Sequence, residues 1–235
     1  MQLYFRACEK ESTISHVDRY KDYSKKTILR KSWASLANQL TDRDAVLIIH
    51  DEVSKETLEW MDKQVTTGLI DYVEVPKHDF SNHLHTVVLV EELEKRIATN
   101  FGLHLLIEDD YLFKSNALET VRSLEGLYDG FFVFYDYPDR YRDKAEMCQV
   151  ILGNTCHWRT INSCTMTIGA AGNRWQSVID LLKEAAPTSN DKVFEEIFKT
   201  APCISPIPGV ATHLTAMHHT PYFPIDKRLE ELDIT

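Results

Sequence analysis

The chain has no apolar run near the roughly 20 residues that a membrane-spanning helix needs, and its start, MQLYFRACEK, lacks the apolar core of a secretory signal. The expectation is a cytoplasmic protein without membrane insertion. Cysteine is sparse and unpatterned. The five residues Cys8, Cys148, Cys156, Cys164 and Cys203 are odd in number and contain no CxxC pair, which fits free thiols in a reducing compartment. A zinc set drawn from Cys148, Cys156, His157 and Cys164 matches no standard ligand spacing. Positive charge is short as well: 26 Lys and Arg face 36 Asp and Glu, a formal charge of -10. That balance argues against gripping nucleic acid through a broad basic surface. What remains is a local basic face, if Lys25, Lys26, Arg30, Lys31, Arg140, Arg142, Lys144, Arg159 and Arg174 converge. Neither a GxxxxGK[ST] loop nor a GxGxxG after the first strand is present, so the two common glycine-rich phosphate cradles are not supported. No internal repeat, low-complexity tract or flexible linker divides the chain.

What is present is a chain of 235 residues, 43% hydrophobic, long enough for one sizeable core. Residues 2–7 (QLYFRA) read as a short strand, followed by a polar loop. Ile28, Leu29, Trp33, Leu36 and Leu40 recur at helical spacing behind Ser24, a suitable N-cap. Residues 45–49 (AVLII) are a buried strand, and Ser54 can cap a helix over 55–66. Residues 70–75 alternate as a strand that Pro76 stops. The apolar positions from Val87 to Ala98 mark a helix leading through Gly102 into the next strand. This is a β-α-β-α-β-α-β series, which predicts a mainly parallel sheet with helices on both faces. Beyond it the alternation loosens. Helices are expected over 117–124, 175–185 and 191–199, and strands over 130–134 and 165–169. The tail APCISPIPGVATHLTAMHHTPYFP holds too many prolines for regular packing throughout.

The stretch LHLLIEDDYLF, from Leu103 to Phe113, stands out. Its apolar run reads as a buried strand that delivers Glu108, Asp109 and Asp110 at its carboxyl end, where open α/β sheets put their ligands. Three adjacent carboxylates repel one another, and a divalent cation holding a substrate's phosphates is one physical reason to build such a cluster. A solvated acidic turn before a helix is the other reading.

A sheet of this kind with an acidic turn after its fourth strand resembles the GT-A class of glycosyltransferases. The blocks IEDDYLF, YDYPDRY, HWRT followed by Thr165 and Thr167, SNDKVFEEIF and PGVATH occur in that order. They resemble a group of small bacterial and phage glycosyltransferase-like proteins, over nearly the whole chain. The signature here is Glu-Asp-Asp rather than Asp-x-Asp. The resemblance implies a single GT-A-like, Rossmann-like domain over 1–235, with a nucleotide-binding half (1–113) and an irregular acceptor-side half (114–235). It implies a metal-dependent hexosyl- or pentosyltransferase that moves a sugar from a UDP-sugar to an acceptor hydroxyl, with Mn²⁺ or Mg²⁺ as cofactor. The acceptor would be a glycan or, in a phage setting, a hydroxymethylated DNA base.

Carried over residue by residue, Asp110 would ligate the metal, and His213 in GVATHL would complete its site, with His218 and His219 as rivals. Glu108 would act through the ribose or a metal-bound water, and Asp109 through either. The cation would bridge the two phosphates and stabilise the leaving diphosphate. Asp191 would take the acceptor's proton as general base, or else only offset a helix dipole. Arg6 and Asp51, at the expected carboxyl ends of the first two strands, suit the diphosphate, base or ribose, or a structural ion pair. The aromatic and charged block from Tyr135 to Tyr141 and the pair Trp158 and Arg159 suit an acceptor-side wall, and Trp158 also suits the core. Two alternatives share the sheet. One is sugar-phosphate nucleotidyl transfer, for which RACEKES is not the usual glycine-rich basic loop; the other is a non-catalytic nucleotide-sugar binding module.

Overall fold

In the computed structural model of the chain, strand β1 (Gln2–Cys8) runs through helix α1 (Lys25–Ala37) to β2 (Ala45–Asp51), and α2 (Lys55–Lys63) leads to β3 (Leu69–Glu74). Helix α3 (Asn82–Ile97) then recrosses the sheet to β4 (Leu103–Ile107). The structure describes residues 1–10, 18–76, 82–142, 147–153, 155–232 and 234, without the side chains of residues 82 and 142. The four strands are parallel in the order β3-β2-β1-β4. The chain therefore moves outward from β1 to one side, returns, and places β4 on the other.

Local chemistry explains these elements. Ser24 and Ser54 start α1 and α2 as expected, each hydroxyl accepting a backbone N–H three residues on, from Thr27 at 3.2 Å and Thr57 at 3.3 Å. β1 and β4 are buried on both faces, as central parallel strands are. Phe5 packs against Trp33 of α1, while Tyr4 points the opposite way to a hydrogen bond with His104. Helices α1 and α2 end at Ala37 and Lys63, a turn short of the expected Leu40 and Thr66.

After β5 (Tyr111–Phe113), α4 (Ala117–Arg122), β6 (Phe131–Val133), α5 (Asp139–Arg142), β7 (Val150–Ile151) and β8 (His157–Ile161), chain order stops matching sheet order. The remaining elements are β9 (Ile168–Ala171), α6 (Gly172–Gln176), α7 (Ile179–Ala185), α8 (Val193–Thr200), β10 (Cys203–Ile207), β11 (Ala211–His213) and α9 (Ile225–Glu230). The sheet continues β4-β9-β6-β10-β8-β7, and β9 and β8 run against its other strands. Strands β5 and β11 form a separate two-stranded ribbon. Among the described residues the result is a mixed, mostly parallel nine-stranded sheet flanked by helices, an α/β fold of Rossmann-like character. Among the described residues, no helix is long and apolar enough to cross a membrane.

The second half departs from expectation in detail. The strand expected over 165–169 lies at Ile168–Ala171, because Thr165 to Thr167 turn their polar atoms to the site instead. Gly169 is where β9 threads between its neighbours: a Cβ there would sit 2.6 Å from the side chains of Leu105 and Phe132. The helix expected over 175–185 is two, α6 and α7, broken at Ser177 and Val178. The proline-rich tail supplies two strands, β10 and β11.

Candidate functional site

β1 and β4 lie side by side although the chain leaves β1 toward β2 and β3, so the gap above their carboxyl ends is the topological switch point where open α/β sheets bind ligands. Arg6 stands near the end of β1, and Glu108, Asp109 and Asp110 follow the end of β4. The sheet thus brings Arg6 to the acidic triplet: its Nη1 lies 3.7 Å from Glu108 Oε1.

The three carboxylates have separate surroundings. Asp109 is 7% exposed. Its Oδ2 accepts the backbone N–H of Cys8 at 2.9 Å, and its Oδ1 pairs with Lys25 Nζ at 2.5 Å. It ties the ends of β4 and β1 to the first residue of α1. Lys25 was not singled out as a site residue from sequence. Its signal was the N-cap Ser24 just before it, since a helix following a parallel strand begins above the strand's carboxyl end. Burial opposes the Lys25 charge, but Asp109 and Asp110 outweigh it and hold its pKa above the ordinary value.

Glu108 faces Arg6, and its Oε2 lies 3.4 Å from the Thr167 hydroxyl. Burial and then Asp110 push its carboxyl up to about 7, against the pull of Arg6, with Asp191 adding to the rise. Asp110 goes the other way. Burial disfavours its charge, yet His213, Lys25 and Arg6 together hold its pKa well below the usual carboxylate range.

His213 is delivered by the ribbon of β5 and β11, in which it pairs in register with Tyr111. Its Nε2 lies 2.9 Å from Asp110 Oδ2, and its ring stacks on Tyr111 with centroids 4.9 Å apart at 14°. Burial works against the imidazolium, but Asp110 and Glu108 raise its pKa overall. Tyr111 is itself fixed: its hydroxyl bonds Tyr137 at 2.9 Å and Thr165 at 3.0 Å. The rival His219 bonds the Thr215 carbonyl, and the ring of His218 lies edge-on to Tyr137. Among the described residues, Asp110 Oδ1 is the one carboxylate oxygen buried without a hydrogen-bond partner, and His213 Nδ1 the one such histidine nitrogen.

Asp191 precedes α8 and lines the same chamber as Arg6 and Glu108. Burial raises its pKa, against the pull of Arg6. The fold therefore lines one chamber with Arg6, Glu108 and Asp191 and sets the Asp110–His213 pair beside Glu108. Asp51 ends β2, opposite Cys8 in register, and stands further along the sheet's edge, outside that chamber.

Other sequence candidates fall elsewhere. Trp158 is 2% exposed and belongs to the core. Arg159 is buried with Asp136 at 2.5 Å, and Tyr141 covers that pair, its hydroxyl donating to Asp136 and its ring lying 4.6 Å from the guanidinium. The basic residues are dispersed rather than gathered. Arg30 pairs with Glu56, Lys31 donates to the carbonyls of Leu229 and Leu232, and Arg174 pairs with Asp129. Lys144 and the side chain of Arg142 lie outside the described residues. The cysteines are free, with Cys148 exposed and Cys164 buried. Among the described residues no three His, Cys, Asp or Glu side chains are grouped so as to hold a metal by themselves.

No protein-family model matches the chain. No curated protein sequence matches it either. Among solved structures, HddC from Yersinia pseudotuberculosis is similar, at 10% identity over 78% of this chain and 79% of its own, with a TM-score of 0.43. TarS of S. aureus is similar at 8% identity over 93% of this chain, with a TM-score of 0.45, and the chain spans 36% of its length. Both likenesses concern the course of the backbone, and the chemistry of the site rests on its own residues.

Proposed function

We propose that the protein is a metal-dependent glycosyltransferase that takes a sugar from a nucleotide-sugar donor, a UDP-sugar, and passes it to an acceptor hydroxyl. The observation that carries this reading is the convergence, at the switch point between β1 and β4, of a cation (Arg6), paired carboxylates (Glu108 and Asp110), a histidine (His213) and a further carboxylate (Asp191). The donor set suits Mn²⁺ or Mg²⁺. Among the described residues, Asp110 presents a buried oxygen without a partner and His213 a buried nitrogen without one, and the Glu108 carboxyl is raised by burial first and by Asp110 second. A magnesium-type site takes one or two carboxylates from the protein and completes itself with substrate phosphates, so the pair Asp110 and His213 would be enough from this chain. When bound, the cation would neutralise the charge that develops on the leaving diphosphate.

In this reading Asp110 and His213 hold the cation, and Arg6 meets the phosphates with fixed N–H donors. Asp109, with both oxygens engaged, keeps the end of β4 in place for its neighbours. Asp191 takes the acceptor's proton; burial raises its pKa against the pull of Arg6, which strengthens it as a base. Asp51 is positioned along the edge for the ribose or base.

The test has two parts. Thermal shift should show stabilisation by UDP with Mn²⁺ that neither gives alone. Slow hydrolysis of a UDP-sugar should occur with the wild type and vanish in Asp110→Asn. Binding without turnover of any donor would support a binding module instead, and absence of both binding and turnover would end the glycosyltransferase reading.

A further inference from the structure

A cleft of about 230 Å³ opens between the turn after β5 and helix α9. Lys114, Ser115 and Asn116 line it from the turn, and Lys227, Arg228 and Glu231 from α9 and the residue after it. It shares no lining residue with the chamber that holds Arg6, Glu108 and Asp191. Three cations and one carboxylate thus line one cleft, in a protein whose formal charge is -10. Its walls are held in place. Gln39 donates from Nε2 to the Lys114 carbonyl at 2.8 Å and accepts the Leu118 N–H at 3.0 Å, and the Lys114 N–H reaches the Val210 carbonyl at 2.8 Å. On α9, Arg228 is 8% exposed, and its guanidinium donates to the Phe113 carbonyl at 2.8 Å and to Glu231 at 3.1 Å.

The one carboxylate of the lining is therefore engaged by Arg228, and the two lysines are left without it. Among the described residues, neither Lys114 nor Lys227 is in an ion pair or a side-chain hydrogen bond. Lys114 is half-buried, its ammonium 5.4 Å from the centre of the Phe223 ring. Burial lowers its pKa, and the weaker opposing influence comes from the Cys156 thiol rather than from a carboxylate. An ammonium taken part of the way out of water gains from an anion that arrives beside it. Ser115 and Asn116, both exposed, add a hydroxyl and an amide that can donate to the same oxygens. We propose that this cleft binds a phosphate group, free or carried by a small molecule, through Lys114 and Lys227, with Arg228 supplying a fixed positive charge. A phosphate suits it better than a single carboxylate because it offers three or more oxygens to several separate donors. The site does not rest on the glycosyltransferase reading.

The test titrates inorganic phosphate and glucose 6-phosphate into the protein by calorimetry, without divalent metal and at an ionic strength held constant with chloride. Wild type, Lys114→Met, Lys227→Gln and Arg6→Met are compared. The wild type should bind at least one of the two probes at a single site. Lys114→Met and Lys227→Gln should each weaken that binding about tenfold, the scale of a hydrogen bond to a charged group, while Arg6→Met binds as the wild type does. Lys227 is exposed, so its replacement leaves folding intact and keeps the test open if Lys114→Met misfolds. Tighter binding of glucose 6-phosphate supports a carried phosphate as the ligand, and equal or weaker binding supports free phosphate. Binding of neither probe, or an affinity unchanged in Lys227→Gln and in folded Lys114→Met, overturns the proposal. A loss confined to Arg6→Met overturns it too, by assigning the anion to the chamber at the switch point, and leaves the glycosyltransferase reading standing.

Discussion

Two acid clusters in this protein are built alike and finished differently. In one, Asp110 pairs with His213; in the other, Asp136 pairs with Arg159. Around Asp136 both carboxylate oxygens have partners, Arg159 on one side and Tyr141 on the other, and the residue is 2% exposed. Around Asp110 one oxygen is bonded to His213 and the other is buried without a partner, while Glu108 beside it is pushed up to about 7 by burial and by Asp110 itself. The Asp136 carboxylate is thus fully engaged, although Arg159 Nε, like Asp110 Oδ1, is buried without a hydrogen-bond partner among the described residues. What sets Asp110 apart is that its unpartnered atom is a carboxylate oxygen at the sheet's switch point, the place where open α/β sheets receive ligands. Residue type does not separate the two, since both sets of residues look equally chemical in the sequence.

The largest effect that sharpens this comparison is expected from Asp110→Asn. Donor hydrolysis should fall about a thousandfold, as when a key charge-stabilising group is removed. Stability should change by no more than about 1 kcal/mol, since the side chain is partly exposed and the substitution also relieves Glu108. Kinetics beside chemical denaturation checks both, and a large loss of stability with little loss of turnover would reverse the roles of the two clusters.

Next comes Arg159→Met, which leaves Asp136 buried without its cation. A loss of about 3 kcal/mol is expected, with turnover per folded molecule within about twofold of wild type. Loss of turnover without loss of stability would instead place Arg159 in the acceptor's path.

The third measurement asks how far the positive side of the site extends. His85, on the buried face of α3 against the Ile49 carbonyl, has its pKa lowered to about 3, by burial first and by Arg6 second, with Lys25 and His50 adding to it. Below about pH 6.5 the unfolded chain binds a proton at this histidine that the native state refuses, so the contribution of His85 to stability falls as pH falls, while Glu108, raised to about 7, works the other way over the same range. From His85 alone the loss between pH 6.5 and 5 should be about 1.6 kcal/mol, the slope approaching roughly 1.4 kcal/mol per pH unit. Urea midpoints at the two pH values should show His85→Gln gaining on the wild type by about that much as pH falls, and a difference between the two proteins that does not change with pH would refute it.

The smallest effect is expected from Ser24→Ala. Removing the N-cap of α1 should cost about 1 kcal/mol. It should also loosen Lys25 from Asp109, readable as a small rise in KM for the donor with kcat little changed. A stability loss with no shift in KM would make Lys25 a structural partner only.

How much of this was legible beforehand differs by region. In the first half each strand and helix follows from its own residues, as with AVLII or the spacing from Ile28 to Leu40, because parallel units are laid down by local pattern. The acidic triplet and His213 were readable too, as was Arg6 at a strand end. The division of labour was not: that Asp109 is held by Lys25 and the Cys8 N–H depends on α1 starting where it does. In the second half, β10 pairs only with strands far along the chain, and it joins β8, whose other partner is the neighbouring β7, to β6. CISPI reads as a broken segment because of Pro206. The sheet accepts it because β6 pairs only with Cys203 and Ile204, leaving the proline's missing N–H without a ladder on that side. Trp158 reads equally as core or as part of an acceptor-side wall for the same reason, since only non-local packing tells a buried aromatic from an exposed one, and the structure puts it in the core.

The ribbon that brings His213 to Asp110 also fixes when the site can exist. Its contributors run from Arg6 to His213, and β9, wedged between β4 and β6, comes from residues well past the acidic triplet. A ribosome working at roughly 5–20 residues per second leaves about 5–20 s between the emergence of Ile107 and that of His213. Throughout that interval the nascent chain carries its acids without the histidine, and the edge of β4 without its neighbour. The assembled cluster is therefore a property of chains that have been synthesised at least through β11, and products broken off earlier would lack it.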